Sequence, residues 1–247
     1  MSRTLVTLAV LAFVVVSLAP IAAMVPAVDA DDLVRIVEPR TLSLLGRTLV
    51  LGLGAAGVAL LLGAPFGWLT ARTDVPGAAL LRPLGILPLL LPSLFLAMTW
   101  TQFTELRGAP ASVLMLGLSC FPLVALFTAK AAGRVDGRQV EAAVLSGGTR
   151  AALAAEWRLL APGALCGACL AFAFAVNDFA TPDYVSSVGK KFNVYADEVF
   201  STWQTGRETG LAVTRALPLV ALTLLALLPA LALRRRGARD RKSTRLN

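Results

Sequence analysis

The chain alternates long apolar runs with short charged segments, and the runs are too long for a soluble fold. Six stretches hold no Asp, Glu, Lys or Arg: Thr4 to Val28, Thr48 to Ala71, Pro83 to Thr104, Gly108 to Ala129, Leu159 to Asn177 and Ala216 to Leu233. Each is 18 to 25 residues long. A helix needs about 20 apolar residues to cross a hydrocarbon core roughly 30 Å thick, so each stretch predicts a transmembrane helix. The expected fold is all-α, a polytopic membrane bundle of six transmembrane helices. The third carries Pro83, Pro88 and Pro92, each of which removes a backbone donor, and is expected to kink or break unless neighbours take up the freed carbonyls. Arg3 ahead of the first run and Ala22, Ala23 and Ala27 near its end have the outline of a secretion signal. The uncharged run, however, exceeds the ~7 to 15 residue core of such signals, which favours an uncleaved helix.

Composition supports the bilayer reading. Of the 247 residues 57% are hydrophobic and 15% charged, with a mean hydropathy of +0.74. That excludes both a water-soluble globule and a disordered chain, since so much apolar surface has to be buried somewhere. Charge then sets orientation. With the amino terminus in the cytoplasm, 15 of the 23 basic residues fall inside, including Arg72, Arg82, Lys130, Arg134, Arg138, Arg150, Arg158 and the cluster from Arg234 to Arg245. Ten of the fifteen acidic residues fall outside, among them Asp29, Asp31, Asp32, Glu38, Asp178, Asp183, Asp197, Glu198 and Glu208. The overall +8 thus divides into +10 inside and −2 outside. The positive-inside rule places both termini in the cytoplasm. It also accounts for the basic charge without nucleic acid, because the cations flank helix ends and no soluble domain exists to read a groove.

Side-chain chemistry narrows the function. There is no histidine, the commonest acid–base group at neutral pH and the commonest metal ligand. No catalytic, cofactor-binding or metal-binding residue is nominated. Cys120, Cys166 and Cys169 all lie in apolar runs, and the Cys166-x-x-Cys169 pair reads as small-residue packing. Gly63 with Gly67 and Gly163 with Gly167 form two GxxxG pairs that let helix backbones approach closely. Charged groups at membrane depth, usual in proton- or sodium-coupled carriers, are missing from the runs. Arg47, Arg215 and Asp178 lie at their edges, within reach of the interface by snorkelling. Any transport must then draw its energy from another subunit. The alternatives are a secondary carrier without an ATPase partner, or a membrane-embedded enzyme, for which Asp178, Asp183, Lys190 and Lys191 are the one conceivable polar set.

The segment between the fourth and fifth runs, residues 130–158, carries the strongest motif. Glu141-Ala142-Ala143-Val144-Leu145-Ser146-Gly147 is followed by a basic stretch and then Trp157-Arg158-Leu159-Leu160-Ala161-Pro162. Helix-forming Glu141, Ala142 and Ala143 present a small face, and Gly147 and Gly148 allow a turn to a second short helix. This resembles the EAA loop of ATP-binding-cassette (ABC) importer permeases, with two departures: Gly147 to Pro162 is two residues longer than the family pattern, and Ala161 stands where Leu is usual. The resemblance covers roughly Thr41 to Leu233, including Leu45-Gly-Arg-Thr-Leu-Val-Leu-Gly-Leu and Gly63-Ala-Pro-Phe-Gly-Trp-Leu-Thr-Ala-Arg-Thr-Asp. Asn177-Asp-Phe-Ala-Thr-Pro-Asp-Tyr184 and Phe192-Asn-Val-Tyr-Ala-Asp-Glu-Val-Phe200 are similar to its iron(III) and thiamine branch. Read without the resemblance, that segment is an external amphipathic loop in which Tyr184, Phe192, Tyr195, Phe200 and Trp203 anchor at the interface.

The resemblance implies a type I importer permease bundle in a bacterial inner membrane. Glu141, Ala142, Ala143 and Gly147 would contact a separate ATPase subunit, and an extracytoplasmic solute-binding protein would deliver iron(III) or a related small solute. The chain itself has no G-x-x-x-x-G-K-[ST] phosphate loop and is expected not to be an enzyme. Residues 1–240 read as one permease domain and 241–247 as a non-native tail. A second permease half, fused, homodimeric or heterodimeric, completes the path.

Overall fold

The computed structural model describes residues 3–24, 26, 28, 34, 36–205 and 209–244. Asp29, Asp31, Asp32, Glu208 and Arg245, which entered the charge argument, lie outside the described residues. Of the tail, 241–244 continue the last helix in their backbone and 245–247 lie outside. The helices are α1 (Arg3–Met24), α2 (Pro39–Arg72), α3 (Ala78–Leu84), α4 (Leu87–Leu90), α5 (Ser93–Phe103), α6 (Gly108–Ala132), α7 (Gly137–Asn177), α8 (Ala180–Ser187), α9 (Tyr195–Thr205) and α10 (Thr209–Thr244). Among the described residues there is no strand.

Among the described residues four helices are long and apolar enough to cross a membrane: α2, α6, α7 and the Leu211–Ala232 part of α10. A fifth crossing is available if Ala78–Leu90 and Ser93–Phe103 count as one span, but the two halves meet at 98°. Among the described residues length and hydropathy thus mark four or five spans, which supports a polytopic helical membrane fold without reaching the six expected. The third run is broken where its prolines predict: Pro88 opens α4 and Pro92 immediately precedes α5. The first run is helical from Arg3 to Met24, and its end at Val25 and Ala27 falls outside the described residues. The side chains of Thr4–Ala19 are all exposed, an arrangement that suits lipid and not water.

The bundle is built around α6, which runs parallel to α2 and antiparallel to α7. The two GxxxG pairs explain the closeness of that packing. On α2, a Cβ at Gly63 would fall 2.8 Å from Val124 Cβ, and one at Gly67 would lie 2.9 Å from the Ala125 carbonyl carbon. On α7, a Cβ at Gly163 would lie 2.9 Å from the Phe127 carbonyl oxygen, and one at Gly167 would lie 2.6 Å from Val124 Cα. Both glycine faces thus clasp the same stretch of α6 from two sides, as the motifs lead one to expect. Around them Ala59, Ala64, Cys120, Val124, Ala164 and Ala171 form a core of mostly small side chains. A second cluster, with Leu51, Leu116, Val194, Tyr195 and Leu219, closes the end of the bundle that carries α9.

Candidate functional site

The segment after α6 leaves the bundle through a turn at Gly133 to Val135. Asp136 caps the next helix, its Oδ1 accepting from the Arg138 amide at 3.1 Å. Residues 137–147 form a first helical arm. At Gly148 the backbone takes φ 74° and ψ −177°, a region open in practice to glycine alone, and the chain changes direction. Residues 149–177 then run as one helix into the span. The second short helix expected between Gly148 and Leu159 is therefore absent. That stretch is continuous with the span through Pro162, whose missing donor leaves only one helical bond unmade.

The arm carries all four residues singled out by the sequence. Glu141, Ala142 and Gly147 are exposed and Ala143 is half-buried. Leu145, one turn after Glu141, is 90% exposed, and Val144 is exposed beside it. Together Val144 and Leu145 leave an apolar spot on the surface of the arm. Of the two glycines, Gly148 is the one whose backbone demands glycine, while Gly147 remains helical.

Sequence reasoning missed what anchors the arm. At the end of α2, Arg72 Nε donates to Glu156 Oε1 at 2.8 Å, and its Nη1 donates to the Val135 carbonyl at 3.4 Å. Glu156 is buried, and the ring of the next residue, Trp157, lies 5.8 Å from that of Trp68, one turn before Arg72. One signal was available: Glu156 is the single acid between Glu141 and Asp178.

At the opposite end two of the three edge charges, Asp178 and Arg215, are held by specific partners. Asp178 is half-buried and accepts from the Thr181 amide at 2.9 Å and from the hydroxyls of Thr181 and Ser93. It thereby ties the α7–α8 junction to the first residue of α5, where a carboxylate also suits the helix N-terminus. Arg215 donates to Glu198 at 3.2 Å and to Thr202 at 2.7 Å, and Arg40 reaches the other Glu198 oxygen at 2.9 Å. Arg47 is exposed on an open groove it shares with Ser43, Val113 and Phe192. Asp183, Lys190 and Lys191 are exposed, and no convergent set forms with Asp178. Nor do the aromatic residues of 184–203 all anchor at an interface: Tyr195 is buried, the Phe179 and Phe200 rings stack at 4.1 Å, and the Tyr184 hydroxyl meets that of Thr101 at 3.0 Å. Trp203 alone of them is well exposed.

A proline-broken third span, a bundle packed through glycine and a kinked helical arm outside the spans are features of a polytopic helical membrane protein. The chain belongs to the binding-protein-dependent transport system inner membrane component family, whose profile matches residues 59–239. It is similar to the molybdenum transport system permease protein ModB of Escherichia coli strain K12 and to that of Escherichia coli O157:H7. Each is 28% identical, over 74% of this chain and 90% of the relative. The chain is thus a transmembrane permease subunit of an ABC importer, a multi-pass membrane protein that is not itself an enzyme. Such subunits work with an ATPase and a solute-binding protein. The iron(III) and thiamine likeness of residues 177–200 finds no support in these relatives, whose names concern molybdenum.

Proposed function

We propose that the chain forms one half of the translocation path of an importer for molybdenum in its oxyanion form, molybdate. On this reading an ATPase subunit seats on the arm 137–147 through Glu141, Ala142, Ala143 and Gly147, with Leu145 entering an apolar part of its groove. The observation that carries the reading is that arm: an EAA sequence, set off by a glycine-only kink, holding a 90% exposed leucine clear of the spans. The substrate rests on the two ModB relatives. We place both termini in the cytoplasm, on the side of the arm, and count α1 and the bent α3–α5 unit with the four long helices as six crossings. Solute arrives from the binding protein at the α9 end. ATP-driven closure of two ATPase subunits moves two such arms, and the paired halves alternate between outward and inward openings.

The test is twofold. The tagged complex is purified in detergent with wild-type chain and with Glu141→Arg. The expected result is loss of the ATPase from the variant alone; retention of the ATPase by the variant refutes the docking reading. Uptake into proteoliposomes is then measured for molybdate and for iron(III). ATP-dependent uptake of molybdate alone is expected, and ATP-dependent uptake of iron(III) with none of molybdate returns the substrate to the branch suggested by residues 177–200.

A further inference from the structure

Both flanks of the arm meet one guanidinium. Val135, whose carbonyl accepts from Arg72, immediately precedes the capping Asp136; Glu156, whose carboxylate accepts from the same side chain at 2.8 Å, lies about two turns beyond Gly148. Apart from these contacts and the half-buried Val140 and Ala143, the arm joins the bundle through the turn at 133–135 and through Gly148. Neither connection is stiff, since a turn and a glycine in an extended left-handed conformation resist rotation poorly. A push on the arm would be spent in bending there. With the contacts, arm, α2 and the first turns after Gly148 form a closed ring of interactions. The Glu156 side chain is only 8% accessible, so pulling the pair apart would strand a buried charge. The Trp68 and Trp157 rings, 5.8 Å apart, add an apolar contact between the same two helices one turn away.

We propose that Arg72 is a positioning residue that makes α2 follow the arm, so that force delivered between Asp136 and Gly148 moves α2 and α7 as one body. The proposal rests on the reading that the ATPase seats on the arm. It goes beyond it by naming the element that carries the motion into the bundle and the residues that transmit it. Gly148 sets the direction of the arm, and Arg72 with Glu156 makes the joint rigid.

The experiment uses the assembled complex in nanodiscs, with spin labels at Leu61 and Leu165, exposed positions on α2 and α7, in a cysteine-free background. The distance between labels is measured at rest and after trapping ATP hydrolysis with vanadate. In the wild type the distance should stay the same in both states. In Arg72→Ala it should change on trapping, while the amount of bound ATPase is unaltered and ATP-driven uptake falls about tenfold, the scale of a broken coupling contact. Arg72→Lys, which keeps the charge, should lie between, and the exchange Arg72→Glu with Glu156→Arg should recover more of the wild-type behaviour than either single change. If Arg72→Ala does not fold, Glu156→Gln, which keeps the shape and removes the charge, takes its place with the same expected change in distance. A constant distance in Arg72→Ala, or an exchange no better than its single variants, overturns the proposal. Loss of bound ATPase from Arg72→Ala overturns it as well, because Arg72 would then shape the docking surface. Retention of ATPase by Glu141→Arg would instead refute the docking reading, leaving the two-helix distance to judge Arg72 by itself.

Discussion

Replacing Gly167 by alanine tests the packing that holds the bundle together. The added Cβ would sit 2.6 Å from Val124 Cα and 3.1 Å from the Leu123 carbonyl oxygen. Carbon atoms rest about 3.5–4.0 Å apart, so α6 and α7 would have to separate by about 1 Å. The obstacle is helix backbone and cannot swing aside as a side chain would. The same separation loosens Val124, Ala164 and Ala171, which share one cluster across this interface. Overpacking of a core costs about 1–3 kcal/mol, and the immobile neighbour puts this site at the upper end, about 2–3 kcal/mol. For a chain of this size that lowers the thermal midpoint by roughly 4–12 °C. Gly57→Ala is the control: nothing lies within 4 Å of its Cβ position, and alanine there gains about 0.5–1 kcal/mol of helix stability. The assay is thermal unfolding of the detergent-solubilised chain, followed by fluorescence. The expected signs are opposite, a fall for Gly167→Ala and no change or a rise for Gly57→Ala. Equal midpoints for the two variants would refute the argument that α6 is held through the glycine faces.

Three further outcomes are expected. Gly148→Ala forces a side chain into a backbone region that costs on the order of 1–3 kcal/mol; it should straighten the arm and reduce bound ATPase on co-purification without lowering the yield of folded chain. Asp178→Ala leaves the Ser93 hydroxyl and the Thr181 amide without their acceptor, and should lower the thermal midpoint by an amount matching about 1–3 kcal/mol, more than Asp183→Ala at an exposed position. Burial, helped by the neighbouring carboxylates of Asp183 and Glu198 and opposed by Lys191, raises the Asp197 pKa above the ordinary carboxylate value. The folded state therefore binds its proton more tightly than the unfolded chain does, and stability falls as pH rises from the ordinary value through the raised one. Asp197→Asn should raise the midpoint at neutral pH, with a gain that shrinks on acidification; a gain independent of pH would contradict the assignment.

The spans and the arm were legible because each is a local pattern. Uncharged runs mark helices that have to lie in lipid, prolines at 88 and 92 mark the break in the third, and the Glu-Ala-Ala to glycine spacing marks a surface helix followed by a turn. Two GxxxG pairs pointed to close packing, though not to a single shared neighbour. What escaped was long-range. Arg72 and Glu156 are 84 residues apart, and each by itself reads as a solvated charge near a helix end. Asp178 looked like an interfacial carboxylate because its partner Ser93 lies 85 residues earlier, behind a proline break whose angle the sequence does not specify. Successive glycines at 147 and 148 show that a turn is possible without showing which of them takes positive φ. The second short helix expected after Gly148 merges with the span instead, through Pro162, since a span tolerates one missing hydrogen bond where a solvated helix of a few turns would end.

The central claim is that a separate ATPase drives this chain through the arm 137–147. Its most direct test places a single cysteine at Leu145 in an otherwise cysteine-free chain and asks what it cross-links to in membranes containing the whole importer. The account predicts a covalent adduct with the ATPase subunit from Leu145→Cys, whose yield changes when ATP hydrolysis is trapped, and none from a cysteine at Trp203 beyond the opposite end of the bundle. An adduct from Trp203→Cys and none from Leu145→Cys would contradict it.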